Sequence, residues 1–156
     1  FRRESFNLLR HHMKGTRTAP FIDDVIVKPE KLPEFLPKLN ALLRQYDLVY
    51  TVAGHIGDGN FHIIPLMKLS DPKAKEVIEN LSKQVYKLVI EYGGSITAEH
   101  NDGLARSPFV REMFGNKIFF LFEQTEKIFD PQNIFNPVKK INATMEYSME
   151  HLDTKI

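Results

Sequence analysis

Apolar positions recur along the chain at two spacings, and the alternation between them marks out its elements. Leu32, Phe35, Leu36, Leu39, Leu42, Leu43 and Tyr46 follow a three- and four-residue spacing that predicts a helix with one apolar face. Asp71-Pro72 opens a second helix whose stripe is Ala74, Val77, Ile78, Leu81, Val85, Leu88 and Tyr92, closed by Gly93-Gly94. The runs FIDDVIVKP (21–29), LVYTVAGHI (48–56), NFHIIPLM (60–67) and SITAEH (95–100) are apolar or β-branched and read as strands. The order β-α-β-β-α-β predicts an α+β fold, a ferredoxin-like βαββαβ sandwich, with additional N- and C-terminal helices. Residues 2–14 read as the first of these, stopped by Gly15. FGNKIFFLFEQTEKIFDP reads as another, with Asn116 as a cap, and the polar tail 141–156 as a weak helix. Phe114, Phe119, Phe120, Phe122 and Phe129 are more aromatic surface than one helix face usually buries. That helix belongs to a core, or part of it faced another domain.

Composition narrows the chemistry. With 42% hydrophobic and 26% charged residues the chain has the make-up of a globular domain, and 156 residues suffice for one ordinary core. A net charge of +1 gives no argument for nucleic acid as a partner, nor for a membrane surface. Cys is absent, which excludes disulfides, iron–sulfur ligation and thiolate zinc sites within the chain. Any metal must be held by His, carboxylate or carbonyl groups. No apolar run is long enough to span a bilayer as a helix. The opening FRRESFNLLRHHMKG has no signal-peptide pattern, and the chain is expected to be a piece of a longer protein.

The segment TVAGHIGDGNFHIIP (51–65) holds two of the six histidines. Asp58-Gly59 between apolar runs is a hairpin signal. With that pair at the centre of a two-residue turn, His55 faces His62, their Cβ atoms about 4.5–5.5 Å apart on one face. Such a pair can bind one metal ion or form a polar surface pair, and a longer loop separates the rings by one register step. Glu99, at the end of the last predicted strand, is the candidate third ligand, and His100 follows it. Two imidazoles and a carboxylate leave coordination positions open for a substrate. Asp58 and Asn60 are read as shaping the turn. Asp23-Asp24 is read as a charge pair on an edge strand, with a metal site as the alternative. His11, His12 and His151 carry no comparable signal.

GHIGDGNFH, GGSITAEHNDG and FDPQNIFNPVKKI together resemble the C-terminal cap domain of FAD-linked oxidases, the group of D-lactate, glycolate and D-2-hydroxyglutarate dehydrogenases of the vanillyl-alcohol oxidase type. The resemblance covers nearly the whole chain and implies a cap domain over residues 1–140, followed by a tail over 141–156. It implies metal ligation by His55, His62 and Glu99, and His100 as the catalytic base. It further implies that Arg2, with Arg3 beside it, binds the substrate carboxylate, that Arg106 contacts substrate or flavin, and that Asn136 of the NP motif contacts the flavin. Two departures stand out: Asn101-Asp102-Gly103 follows the EH pair where Gly-Ile-Gly or Gly-Asp-Gly is commoner, and NPVKK replaces NPGK. The DGLARS run resembles large members fused to an iron–sulfur domain.

The implied activity is oxidation of a D-2-hydroxy acid to the 2-oxo acid, with FAD and a divalent metal (Zn, Mn or Fe) as cofactors. The implied partners are the small-molecule 2-hydroxy acid, the FAD-binding domain of the same parent chain, and an iron–sulfur domain or protein. The chain carries no glycine-rich pyrophosphate loop, so the isolated fragment is expected to be inactive. Its expected place is cytoplasmic, or peripheral at the inner face of the membrane. A non-enzymatic ferredoxin-like ligand-binding or dimerisation module is the alternative, since fold does not fix function. A metal-dependent hydrolase, with His100 activating water, is a third reading and predicts turnover without flavin.

Overall fold

The computed structural model describes residues 15–154; the first predicted helix, with Arg2, Arg3, His11 and His12, lies outside them. The described elements are β1 (Arg17–Thr18), β2 (Val25–Ile26), α1 (Leu32–Leu43), β3 (Val49–Ala53), β4 (Asn60–Met67), α2 (Ala74–Glu91), α3 (Gly103–Arg106), α4 (Val110–Phe129) and α5 (Met145–Glu150). This is a mixed α+β chain, as the alternation of spacings predicts. Among the described residues it divides into two units, 15–99 with 153–154, and 100–152.

In the first unit β4 is the hub of a small antiparallel sheet. β3 pairs along it from Val49–Leu66 to Ala53–His62, β1 joins at Met67 and Leu66, and β2 joins at Phe61 and Asn60. All but one residue of β4 is buried, which explains why its sequence reads as a continuous apolar run rather than an alternating one. The helices pack on each other. α1 buries Leu32, Phe35, Leu39 and Leu43, and α2 buries Ala74, Ile78, Leu81, Val85, Leu88 and Val89, the positions set by the 3.6-residue period. The strand expected over 95–100 is reduced to a single bridge, Ser95 with Ile26, beyond which the backbone leaves the sheet.

Tyr86 is fully buried and its hydroxyl donates to the carbonyl of Phe21. Tyr86→Phe leaves that carbonyl without this donor. It is expected to lower unfolding stability by about 1–2 kcal/mol, read from urea denaturation.

The second unit has its own small core of Val110, Phe119 and Ile141, with Phe122 packed against it. α4 is broken at Gly115, whose φ of 73° and ψ of 164° are not helical, so Gly115 rather than the expected Asn116 stands at the break. Of the five phenylalanines, only Phe119 is buried, while Phe120 and Phe129 are 54% and 78% exposed. The alternative of a core helix therefore fails for most of this face within the described chain. The turn-rich stretch after α4 is held in left-handed conformations at Asn133, Asn136, Val138 and Lys140. No helix among the described residues is long and apolar enough to cross a membrane.

Candidate metal centre

The β3–β4 connection is longer than the two-residue turn that Asp58-Gly59 suggests. A short 3-10 turn, Ile56–Asp58, fills it, and the observed register puts Ala53, not His55, opposite His62. The shift is by two residues, so side-chain parity is kept. His55 and His62 remain on one side as diagonal neighbours, their ring centroids 6.1 Å apart and nearly perpendicular. Gly54 makes the approach possible: a Cβ there would lie 2.3 Å from the carbonyl oxygen of Asn60.

Glu99 completes the arrangement. Its Oε1 lies 3.0 Å from His62 Nε2 and 3.4 Å from His55 Nε2. Two donors sharing one ion at about 2.0–2.2 Å are about 2.9 Å apart at a right angle and about 3.4 Å apart at a tetrahedral angle. Both separations fall in that window, and two imidazoles with a carboxylate are a donor set that divalent first-row metals accept. The donor chemistry of the three residues therefore suits a divalent ion, with Glu99 Oε1 the atom that stands near both imidazoles. Among the described residues, Asp24, His62, Glu99 and the His100 that follows it each offer one potential ligand atom within 4.8 Å of the others, a group that does not include His55.

The centre has a closed back and an open front. The His62 side chain is 4% exposed, those of His55 and Glu99 49% and 47%. Behind His62 stand Asp23 and Asp24, both buried. Asp23 Oδ1 lies 3.1 Å from His62 Nδ1. Asp24 Oδ2 accepts from Thr97 Oγ1 at 3.1 Å, Ala98 N at 2.9 Å and Glu99 N at 3.0 Å, and its Oδ1 accepts from Asn60 Nδ2 at 3.1 Å. The reading of this pair as an edge-strand charge pair is thereby corrected: both carboxylates are interior. The signal was present in PFIDDVIV, since acids inside an apolar run are buried only with partners. Asn60, read as a turn residue, is also buried and is tied to Asp24 and Val25.

His100 is exposed and directly follows Glu99 in the chain, as the first residue of the second unit. Arg106 is buried and donates through Nε and Nη2 to the carbonyl of Asn101. Asn136 is exposed, and its Oδ1 accepts from Lys139 Nζ at 3.3 Å. Asp102 is buried in the second unit and ion-paired with Lys140 Nζ at 2.6 Å.

The α+β domain thus carries two imidazoles and a carboxylate on a face open to solvent. A family model of the C-terminal domain of FAD linked oxidases matches residues 1–140, and the chain belongs to that family. It is 35% identical over 88% of its length to a D-2-hydroxyglutarate dehydrogenase of Pseudomonas putida, of which the match covers 14%. It is 34% identical over 76% of its length to a D-lactate dehydrogenase of Archaeoglobus fulgidus, covering 26% of that protein. It is 27% identical over 79% of its length to the glycolate oxidase subunit GlcD of Bacillus subtilis, again 26% of that protein. The chain thus spans about a seventh to a quarter of the relatives it matches.

Proposed function

We propose that this chain is the substrate- and metal-binding part of a flavin-dependent dehydrogenase that oxidises a D-2-hydroxy acid, of the D-lactate kind, to the 2-oxo acid. The observation that carries the reading is one carboxylate oxygen, Glu99 Oε1, standing 3.0 and 3.4 Å from the Nε2 atoms of His62 and His55, on a face open to solvent. His55, His62 and Glu99 would hold the ion. When bound, a divalent ion supplies Lewis acidity toward the substrate carboxylate and hydroxyl, and FAD supplies the hydride acceptor. His100, next along the chain, accepts the hydroxyl proton at a ring nitrogen. Arg2 neutralises the substrate carboxylate through its guanidinium. Arg106 and Asn136 are the remaining proposed contacts, to substrate or flavin and to flavin respectively. In this reading residues 1–140 form the working domain, FAD is bound mainly by another domain of the parent chain, and electrons leave through an iron–sulfur domain or protein. The place of the reaction is the cytoplasm, or the inner face of a membrane.

The test is metal content by elemental analysis after dialysis against mixed divalent ions, for the chain and for a His55→Ala/His62→Ala variant. About one ion per chain is expected, lost in the variant. Metal retained by the variant, or bound by neither protein, overturns the proposal.

A further inference from the structure

We infer that Asp23 and Asp24 are positioning residues of the metal centre: Asp23 aims the His62 ring, and Asp24 fixes the loop on which Glu99 stands. The inference rests on the reading of His62 and Glu99 as ligands. It separates two roles that proximity alone confuses, because Asp24 is close enough to be counted as a ligand itself.

The hydrogen bonds favour support over ligation for Asp24. A carboxylate offers about four lone-pair sites. Asp24 is wholly buried and takes four donors, from Asn60, Thr97, Ala98 and Glu99. Three of those donors fall on Oδ2, which leaves that oxygen no lone pair for an ion, while Oδ1 accepts from Asn60. Two of the donors are consecutive backbone amides, which charge-assisted bonds hold firmly, and the second belongs to Glu99. Asp24 adopts a φ of 62°, a left-handed conformation that Asp tolerates better than most residues. It persists because those four bonds over-determine it.

Asp23 acts on the other ligand. His62 presents Nε2 toward Glu99 and Nδ1 toward Asp23, at 3.0 and 3.1 Å. A proton held on Nδ1 by the buried carboxylate leaves Nε2 with its lone pair for a metal. Asp24 Oδ1 stands farther from Nδ1, at 4.0 Å, so the two adjacent acids divide the work: Asp23 sets the orientation of one ligand and Asp24 the backbone under another.

The experiment is zinc titration of the full chain by calorimetry, with proton NMR of the zinc-loaded protein. Asp23→Ala is expected to lower Zn2+ affinity about 10–100-fold and to abolish the slowly exchanging His62 Nδ1–H resonance. Asp23→Asn keeps an acceptor oxygen and is expected to restore the resonance and part of the affinity. A purely structural role for Asp23 moves neither in this way. Asp24→Asn is expected to speed amide hydrogen exchange at Ala98 and Glu99 while β3–β4 amides keep their protection, and to weaken Zn2+ binding by about tenfold or more. Should Asp24→Asn not fold, Thr97→Val removes one donor of the clamp and is expected to show the same exchange pattern with a smaller loss of affinity. Wild-type affinity and an intact Nδ1–H resonance in Asp23→Ala overturn the role of Asp23. Unchanged exchange and affinity in the Asp24→Asn or Thr97→Val protein overturn that of Asp24. If the wild-type chain takes up no Zn2+, the metal reading itself falls, an outcome distinct from both.

Discussion

Glu99→Gln is expected to lower the affinity of the chain for Zn2+ by about a hundredfold or more, with unfolding stability held within about 0.5 kcal/mol. The two halves of this expectation have different causes. Gln is nearly isosteric, and the Glu99 amide that Asp24 clamps is untouched by the change, so the loop keeps its place. The side chain is about half exposed, so little packing is lost. What goes is the negative charge at the one oxygen that lies near both imidazoles. Loss of a partner outside the ligand set typically costs 10–100-fold in metal affinity, and a direct ligand costs at least the upper end of that range. Calorimetric titration beside a thermal melt reads both quantities. Unchanged affinity would remove Glu99 from the site.

Gly59→Ala is expected to destabilise the first unit by about 3–5 kcal/mol, measured by urea unfolding. Gly59 has a φ of 79°, and a Cβ there would fall 1.8 Å from the carbonyl oxygen of Val27. Backbone cannot yield to that contact as a flexible side chain can. The same carbonyl-rich edge is needed for pairing, because Val27 N donates to Gly59 O at 3.0 Å. The substitution therefore pushes the β3–β4 connection away from the strand that follows Asp23 and Asp24. Metal affinity is expected to fall along with stability, unlike in Glu99→Gln. A stability change below about 1 kcal/mol would show that the close approach is not needed.

The helices were legible in the sequence because their signal is periodic and local: the stripes from Leu32 to Leu43 and from Ala74 to Leu88 are the buried faces of α1 and α2. β4 was legible as a bounded apolar run. The fourth strand was not, because SITAEH has β-like composition, but Thr97, Ala98 and Glu99 turn their donors to the Asp24 carboxylate instead of to a neighbouring strand. A side chain from more than seventy positions away replaced the ladder, and no local pattern announces that. His55, His62 and Glu99 were legible as a candidate set because the hairpin parity is insensitive to a two-residue shift in register, although the loop itself was misjudged. Asp23 and Asp24 were misread because an acidic pair in a short strand resembles edge protection. Only their burial tells the two situations apart.

The hub position of β4 also sets an order in which the centre can assemble as the chain folds. The β3–β4 pairing closes a connection of a few residues, the kind of hairpin that forms in about 1–10 µs. That step alone brings His55 and His62 to one side. Asp23 and Asp24 join only when β2 reaches Phe61 and Asn60, and Glu99 only when the chain beyond α2 returns to Ile26 at Ser95. Each later step closes a longer loop and is slower for that reason. The imidazoles thus come first and the carboxylates last, so under the proposed function the half-built hairpin captures an ion only weakly. The complete donor set waits for the segments that are most distant in the chain.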